Sequence, residues 1–248
     1  MAYGLQIINP TNNELVISSE GSGLSCLGKM TLQGSVVQPS GSIGSSPGKV
    51  AGYSRYRITS VNRPIFAFDL PSSKDVGLRS VTYIGSNVWE VELHCGDGND
   101  GNGFHTTEYQ VDVWAFAQYS GTPVGSFGLA LYNSSGGLAY DFTAGPPLAA
   151  RMYVPGDSAG PFTIPSLSRP VFLGSTPSNV ISESYRGSNT WWTTTSRGRY
   201  SRSGTSLSNG TYVDQIYSTA GTVSDPPGTS GGDYYNHPGF ILEGSLLP

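Results

Sequence analysis

The sequence predicts an all-β fold made of two β-sandwich-like modules with a loop-rich C-terminal segment. Two features of composition favour this class. The 248 residues include 34 Gly and 17 Pro but only 12% charged residues, whereas helical bundles and coiled coils are rich in Ala, Glu, Lys and Leu. Aromatic residues at 11% and a net charge of -4 are untypical of a disordered chain. A third feature is the alternation of apolar and polar residues, which indicates strands.

The clearest predicted hairpin covers residues 81–94. Trp89, Val91 and Leu93 share one face of an extended segment, and the turn residues 84–87 join it to the preceding strand. Residues 104–120 contain neither Gly nor Pro and would tolerate a helix, but alternation within them favours a strand. Further strands are predicted where β-branched and aromatic residues lie between turn residues, at 65–70, 171–173 and 212–217. Many short strands are typical of sandwiches and small barrels.

The opening segment of the chain is repeated. Residues 3–9, Tyr-Gly-Leu-Gln-Ile-Ile-Asn, return at 127–133 as Phe-Gly-Leu-Ala-Leu-Tyr-Asn. Each copy continues through a polar turn into a second apolar strand, at 15–17 and 138–140, and the two turns differ in length by one residue. An ordinary hairpin with an Asn-rich turn would also explain the pattern. We divide the chain into an N-terminal β-sandwich module, residues 1–120, and a second β module with an irregular tail, residues 121–248.

The opening hairpin resembles the N-terminus of tail-tip and tail-fibre-like minor structural proteins of tailed bacteriophages. These begin with Tyr-Gly-Leu and two apolar positions, and continue through a turn and a strand to an Asp. The second copy, through Asp141, resembles an internal repeat of the same group, whereas the first copy has Ser18 at the Asp position. The resemblance covers residues 1–30 and, more loosely, residues 63–154.

This resemblance implies a non-enzymatic virion structural protein of the distal tail, in a tail tip, baseplate or tail fibre. Its expected partners are other phage tail proteins, a second and third copy of the chain in a homo-oligomer (trimer favoured), and a receptor on the host surface. The expected location is the virion, after synthesis in the host cytoplasm.

A candidate binding surface lies in the C-terminal third, where Trp191 and Trp192 stand close to Arg197, Arg199 and Tyr200. Aromatic rings stack on flat ligand faces and arginine supplies charge, which suits a sugar platform or single-stranded nucleic acid. Packing of the two tryptophans into a sheet or a subunit interface is the structural explanation. The alternative function is therefore a lectin-like glycan-binding module.

Motifs for catalysis or metal binding have weaker support. The Gly156-Asp157-Ser158 loop resembles the nucleophile loop of trypsin-like serine proteases, but its candidate base, His94, lies on a predicted strand at an unusual spacing, so a serine hydrolase is a remote alternative. Residues 97–103 supply oxygen ligands for calcium, although a hairpin loop explains the same residues. His94, Cys95 and His105 lack a fourth zinc ligand. We predict no catalytic residue, no metal and no cofactor.

Charge and hydropathy bear on partners and compartment. The balance of 13 Lys and Arg against 17 Asp and Glu is too near neutral to attract nucleic acid, so no nucleic-acid partner is predicted. No run approaches the length of a membrane span, so no membrane insertion is predicted. The N-terminus lacks the features of a secretion signal, and Cys26 and Cys95 form no CxxC motif, which favours a reducing compartment.

Overall fold

A computed structural model describes residues 6–8, 15–18, 24–36, 49–50, 52–96, 110–118, 130–132, 138–141, 150–155, 160–174, 181–187, 190–220 and 239–247. These residues form strands and one short 3-10 turn at Gly244–Leu246, and none of them forms an α-helix. The all-β prediction is therefore confirmed. Within the same residues there is no helix long and apolar enough to cross a membrane.

The strands in chain order are β1 (Gln6–Ile8), β2 (Leu15–Ser18), β3 (Leu24–Lys29), β4 (Thr31–Val36), β5 (Lys49–Val50), β6 (Tyr53–Thr59), β7 (Ile65–Asp69), β8 (Asp75–Gly85), β9 (Val88–Gly96), β10 (Val113–Gln118), β11 (Ala130–Tyr132), β12 (Leu138–Asp141), β13 (Ala150–Val154), β14 (Phe162–Thr163), β15 (Pro170–Gly174), β16 (Ile181–Gly187), β17 (Thr190–Ser203), β18 (Ser206–Ala220) and β19 (Gly239–Glu243).

Two antiparallel sheets in a sandwich-like arrangement dominate the fold. Sheet I has six strands in the order β13-β19-β15-β7-β10-β3. Sheet II follows the order β14-β18-β17-β8-β9-β6-β4, and in addition β16 pairs with β17 and β5 pairs with β18. The predicted sandwich architecture is confirmed at this level.

The main core contains buried residues from both sheets. Phe172 of β15 joins them, because its ring centroid lies 4.5 Å from that of Tyr200 in β17 and 5.6 Å from that of Phe68 in β7. A second buried cluster, which includes Trp114 and Phe116 of β10, covers the other face of sheet I. Strands buried on both faces need apolar residues at successive positions, and this explains why β7, β10 and β15 are almost continuously apolar.

The predicted hairpin at residues 81–94 is confirmed as β8 and β9. The two turn residues between them, Ser86 and Asn87, both have positive φ angles, of 52° and 61°. Two consecutive residues of this kind form the turn whose twist matches that of antiparallel strands. Val91 and Leu93 enter the core as alternation predicts, while Glu92 lies on the opposite face.

The predicted repeat corresponds to two hairpins with the same pairing. In the first, β1 pairs with β2, and in the second β11 pairs with β12, each as a two-stranded sheet. The register shifts between Ile7 and Ile8 in one copy and between Leu131 and Tyr132 in the other, which are equivalent positions. The similarity therefore extends from sequence to the place of the bulge.

Both large sheets combine strands from the two predicted modules. In sheet I, β7 from residues 1–120 pairs with β15 from residues 121–248; in sheet II, β8 pairs with β17. The C-terminal strand β19 lies inside sheet I between β13 and β15, although the sequence predicted an irregular tail there. The repeat unit visible in the sequence is the hairpin, and it does not mark the limits of the sheets.

Candidate functional site

The predicted binding residues lie in a β-arm, which we define as strands β16, β17 and β18. In β17, residues 200 and 201 pair with β8, whereas residues 190–196 pair with β16. Sheet II therefore branches beside Tyr200. One branch continues through β8 to β9, β6 and β4, and the other is the β-arm.

The side chains of Trp191 and Trp192 lie outside the part of the chain that the structure describes. Among the other predicted binding residues, Tyr200 is buried in the core with 1% of its surface exposed. Alternation along β17 places Arg197 and Arg199 on the opposite face of the strand from Tyr200. These three residues are therefore divided between the two faces of one strand.

Arg199 has a structural partner. Its Nη1 donates a short hydrogen bond to Oδ1 of Asp75, which is buried at the start of β8. Gly210 is opposite Arg199 in the register, and a Cβ atom there would make an ordinary van der Waals contact, at 3.6 Å, with the guanidinium carbon. Arg199 therefore holds β17 to β8 at the base of the β-arm.

A charged network that the sequence analysis missed lies on strands β6, β8 and β9. Glu92 accepts from Arg55 at 3.2 Å and from Arg79 at 2.6 Å. Both guanidinium groups lie over the Tyr53 ring, at 5.3 and 4.3 Å from its centroid. On the same face, Arg57 donates to Glu90 at 2.7 Å. Arginines and glutamates spaced two residues apart could have indicated such a face.

A second network links β3 and β7 of sheet I to the residues just before β10 and β15. Arg169 donates to both carboxylate oxygens of Asp69, at 2.8 and 2.6 Å, and makes a short contact with Asp112. Lys29 lies 2.5 Å from Asp112, and the Trp114 ring lies under the Arg169 guanidinium at 4.8 Å. Partial burial acts to raise the pKa of Asp112, but the bonds from Lys29 and Arg169 lower it.

A small pocket lies beside this second network. It has a volume of about 210 Å³, and its lining includes Arg169, Arg202 and Asp69. Arg202 donates to the backbone carbonyls of Leu70 and Gly204. These bonds fix Arg202 between a loop and the β17–β18 turn, which is a structural role.

For the described residues, the structure gives no support to the catalytic and metal-binding roles considered from the sequence. His94 is fully buried, and its Nδ1 lies 2.8 Å from the Gly52 carbonyl, whereas a general base must reach its substrate. Burial raises the pKa of Cys95 to about 12, so its thiol stays protonated at neutral pH. Among the described residues no group of three His, Cys, Asp or Glu could hold a metal ion. Ser158, His105 and the loop 97–103 lie outside those residues.

Comparison with protein-family models, curated proteins and solved structures gave no match.

Proposed function

We propose that this chain is a non-enzymatic structural protein of the distal tail of a tailed bacteriophage, where it assembles with other tail proteins as a symmetric homo-oligomer. The observation that carries the proposal is the repeated hairpin. Its first copy contains the Tyr-Gly-Leu opening that resembles tail-tip and tail-fibre-like proteins. The shared bulge position supports an origin of the two copies in one duplicated unit.

The geometry of the second hairpin supports a role in contacts between subunits. Two-stranded hairpins are only marginally stable by themselves and gain stability when they pack against other surfaces. Tyr132 of β11 keeps 51% of its surface exposed. Tyrosine is enriched at protein interfaces because it combines a large apolar ring with a hydroxyl group. An exposed aromatic residue on such a hairpin suits contact with a neighbouring tail protein.

The charged surfaces support the same role. The glutamates of β9 and the arginines of β6 and β8 are held in ion pairs on one face of sheet II. Groups fixed in this way are suited to align with complementary groups of a neighbour, which gives specificity of assembly. A trimer is favoured by analogy with other tail tips and fibres.

Immunogold electron microscopy on purified virions tests the location. An antibody raised against the chain should label the distal end of the tail, and mass spectrometry of the same particles should detect the chain. The control for antibody specificity is a set of particles that contain the other tail components but are made by a phage lacking the gene for this chain. Absence of the chain from purified virions would overturn the proposal.

A further inference from the structure

One side of strand β8 is an open sheet edge over its last six residues. β8 pairs with β9 from end to end, but its pairing with β17 is limited to Asp75 and Val76. Among the described residues, no other strand pairs with residues 80–85 on that side. Tyr83 and Ile84 keep 51% and 44% of their surfaces exposed. An edge of this kind presents backbone N–H and C=O groups with which a further strand can pair.

Residues 80–85 lack most of the features that block association at sheet edges. Natural edge strands are commonly protected by charged side chains, proline or bulges. The sequence here is Ser-Val-Thr-Tyr-Ile-Gly, which contains no charged residue and no proline. The register with β9 is regular from Ser80 to Tyr83, and the two bulges of β8 lie on either side of this stretch. It is therefore a regular, uncharged strand edge, rich in residues that favour strands.

The side chains of this edge alternate between the two faces of sheet II. Val81 is opposite the core residue Val91 and packs against the main core. Tyr83 is on the same inner face, where its ring centroid lies 5.2 Å from that of Trp89. Thr82 lies between them on the outer face and is exposed. A strand that pairs with this edge therefore meets Val81 and Tyr83 on one face and Thr82 on the other.

We propose that the β8 edges of two copies of this chain pair antiparallel about a two-fold axis at Thr82, so that sheet II continues from one copy into the other. Thr82 then stands opposite Thr82 of the second copy, and Val81 stands opposite Tyr83 of the second copy on each side of the axis. Thr–Thr pairs and pairs of β-branched with aromatic residues are favourable across strands. A two-fold contact joins a surface to itself, so the surface must be self-complementary. Residues 80–84 meet this condition, because their pairing brings no like charges together.

A cleft beside the edge gives the second copy apolar surface to cover. It has a volume of about 260 Å³, and its lining residues are Arg63, Pro64, Ile65, Phe66, Leu78, Val81 and Gly174. β17 lies on the same side of β8, and its Tyr200 packs on Phe172 of β15. A strand paired with residues 80–84 takes that side further along β8, above the end of β15 where Gly174 lines the cleft. The added strand therefore lies over the cleft, beside Ile65, which is 42% exposed.

This contact goes beyond the proposed function and does not rest on a location in a tail. It needs only two copies related by a two-fold axis, whereas a threefold assembly would use a different part of the surface. A second copy is the occupant that the register favours, because every molecule of the chain carries the complementary sequence.

Sedimentation velocity of the full chain at increasing concentrations tests the proposal. The unmodified chain should associate reversibly into dimers. Thr82→Lys and Thr82→Glu each place two like charges opposite each other at the axis, and each should weaken dimerisation by about tenfold or more. An equimolar mixture of the two variants should restore dimers, because opposite charges then meet at the axis. Since Thr82 is exposed, both variants should keep the fold, which circular dichroism checks.

Thr59→Lys and Thr59→Glu are the matched controls, because Thr59 is an exposed threonine of β6, two strands away from the β8 edge. Both should dimerise like the unmodified chain. A monomer at every concentration, oligomers that both Thr82 variants leave unchanged, or a mixture of those variants that stays monomeric would overturn the proposal. A trimer that is insensitive to changes at residue 82 would contradict this contact alone and would leave the proposed assembly in a tail standing.

Discussion

Single side chains fix the ends of strands in this protein. Glu243, the last residue of β19, accepts hydrogen bonds from the backbone N–H groups of Ser168 and Arg169 and from the Ser168 hydroxyl. It also accepts from Ser245 in the turn that follows. Partial burial acts to raise the pKa of Glu243, but the bonds from Ser168 and Ser245 outweigh it and lower the pKa to about 2.

We predict that Glu243→Gln lowers the free energy of unfolding by about 1 kcal/mol at pH 7. The carboxylate stabilises the fold above its unfolded pKa of about 4.5, and this contribution is lost as pH falls toward about 2. Urea unfolding of the unmodified chain and the variant should be measured at a series of pH values from 7 downward. Their free energies of unfolding should converge below about pH 4.5. Ser168→Ala should reproduce part of the loss at pH 7. A constant difference across this pH range would contradict the assignment.

At the scale of elements, β15 couples the two sheets through Phe172. This residue is fully buried between Phe68 of the same sheet and Tyr200 of the opposite sheet. Phe240 in the adjacent strand β19 lies on the other face of sheet I and is 39% exposed. Two phenylalanines in neighbouring strands thus have very different surroundings, which allows a matched comparison.

We predict that Phe172→Ala lowers the free energy of unfolding by about 3–5 kcal/mol, because it leaves a cavity where the sheets meet. Phe240→Ala should cost about 1 kcal/mol, since it loses mainly the ring contact with Tyr153 at a centroid distance of 5.5 Å. Urea denaturation monitored by circular dichroism measures both. Similar losses for the two variants would show that β15 has no special part in joining the sheets.

At the scale of the whole molecule, the two halves of the sequence share their sheets. Each of β7 and β8 has one paired neighbour from within residues 1–120, β10 and β9, and one from beyond residue 120, β15 and β17. In sheet I, β15 also depends on β19 at the C-terminal end of the chain. Strands from distant parts of the sequence therefore complete each other's hydrogen bonds and core.

We predict that residues 1–120, expressed alone, do not form a stable fold, because they expose the edges of β7 and β8 and lack the core residues of β15, β17, β18 and β19. The fragment should show poor dispersion of amide resonances and no cooperative thermal transition, while the full chain unfolds in a single transition. A mixture of fragments 1–120 and 121–248 is the control, since it restores every strand. A well-dispersed spectrum from the isolated fragment would support two separate modules instead.

The fold class, several strands and the repeated hairpin can be predicted from the amino-acid sequence, because alternation and turn residues act locally. The strands predicted at 65–70 and 171–173 correspond to β7 and β15, and the hairpin predicted at 81–94 corresponds to β8 and β9. Only the tertiary structure decided which strands are neighbours, since pairing between β7 and β15 joins residues about a hundred positions apart. It also decided where one predicted binding residue lies. The sequence offered Tyr200 as a binding residue, and only its contact with Phe172 from the opposite sheet shows that it belongs to the core.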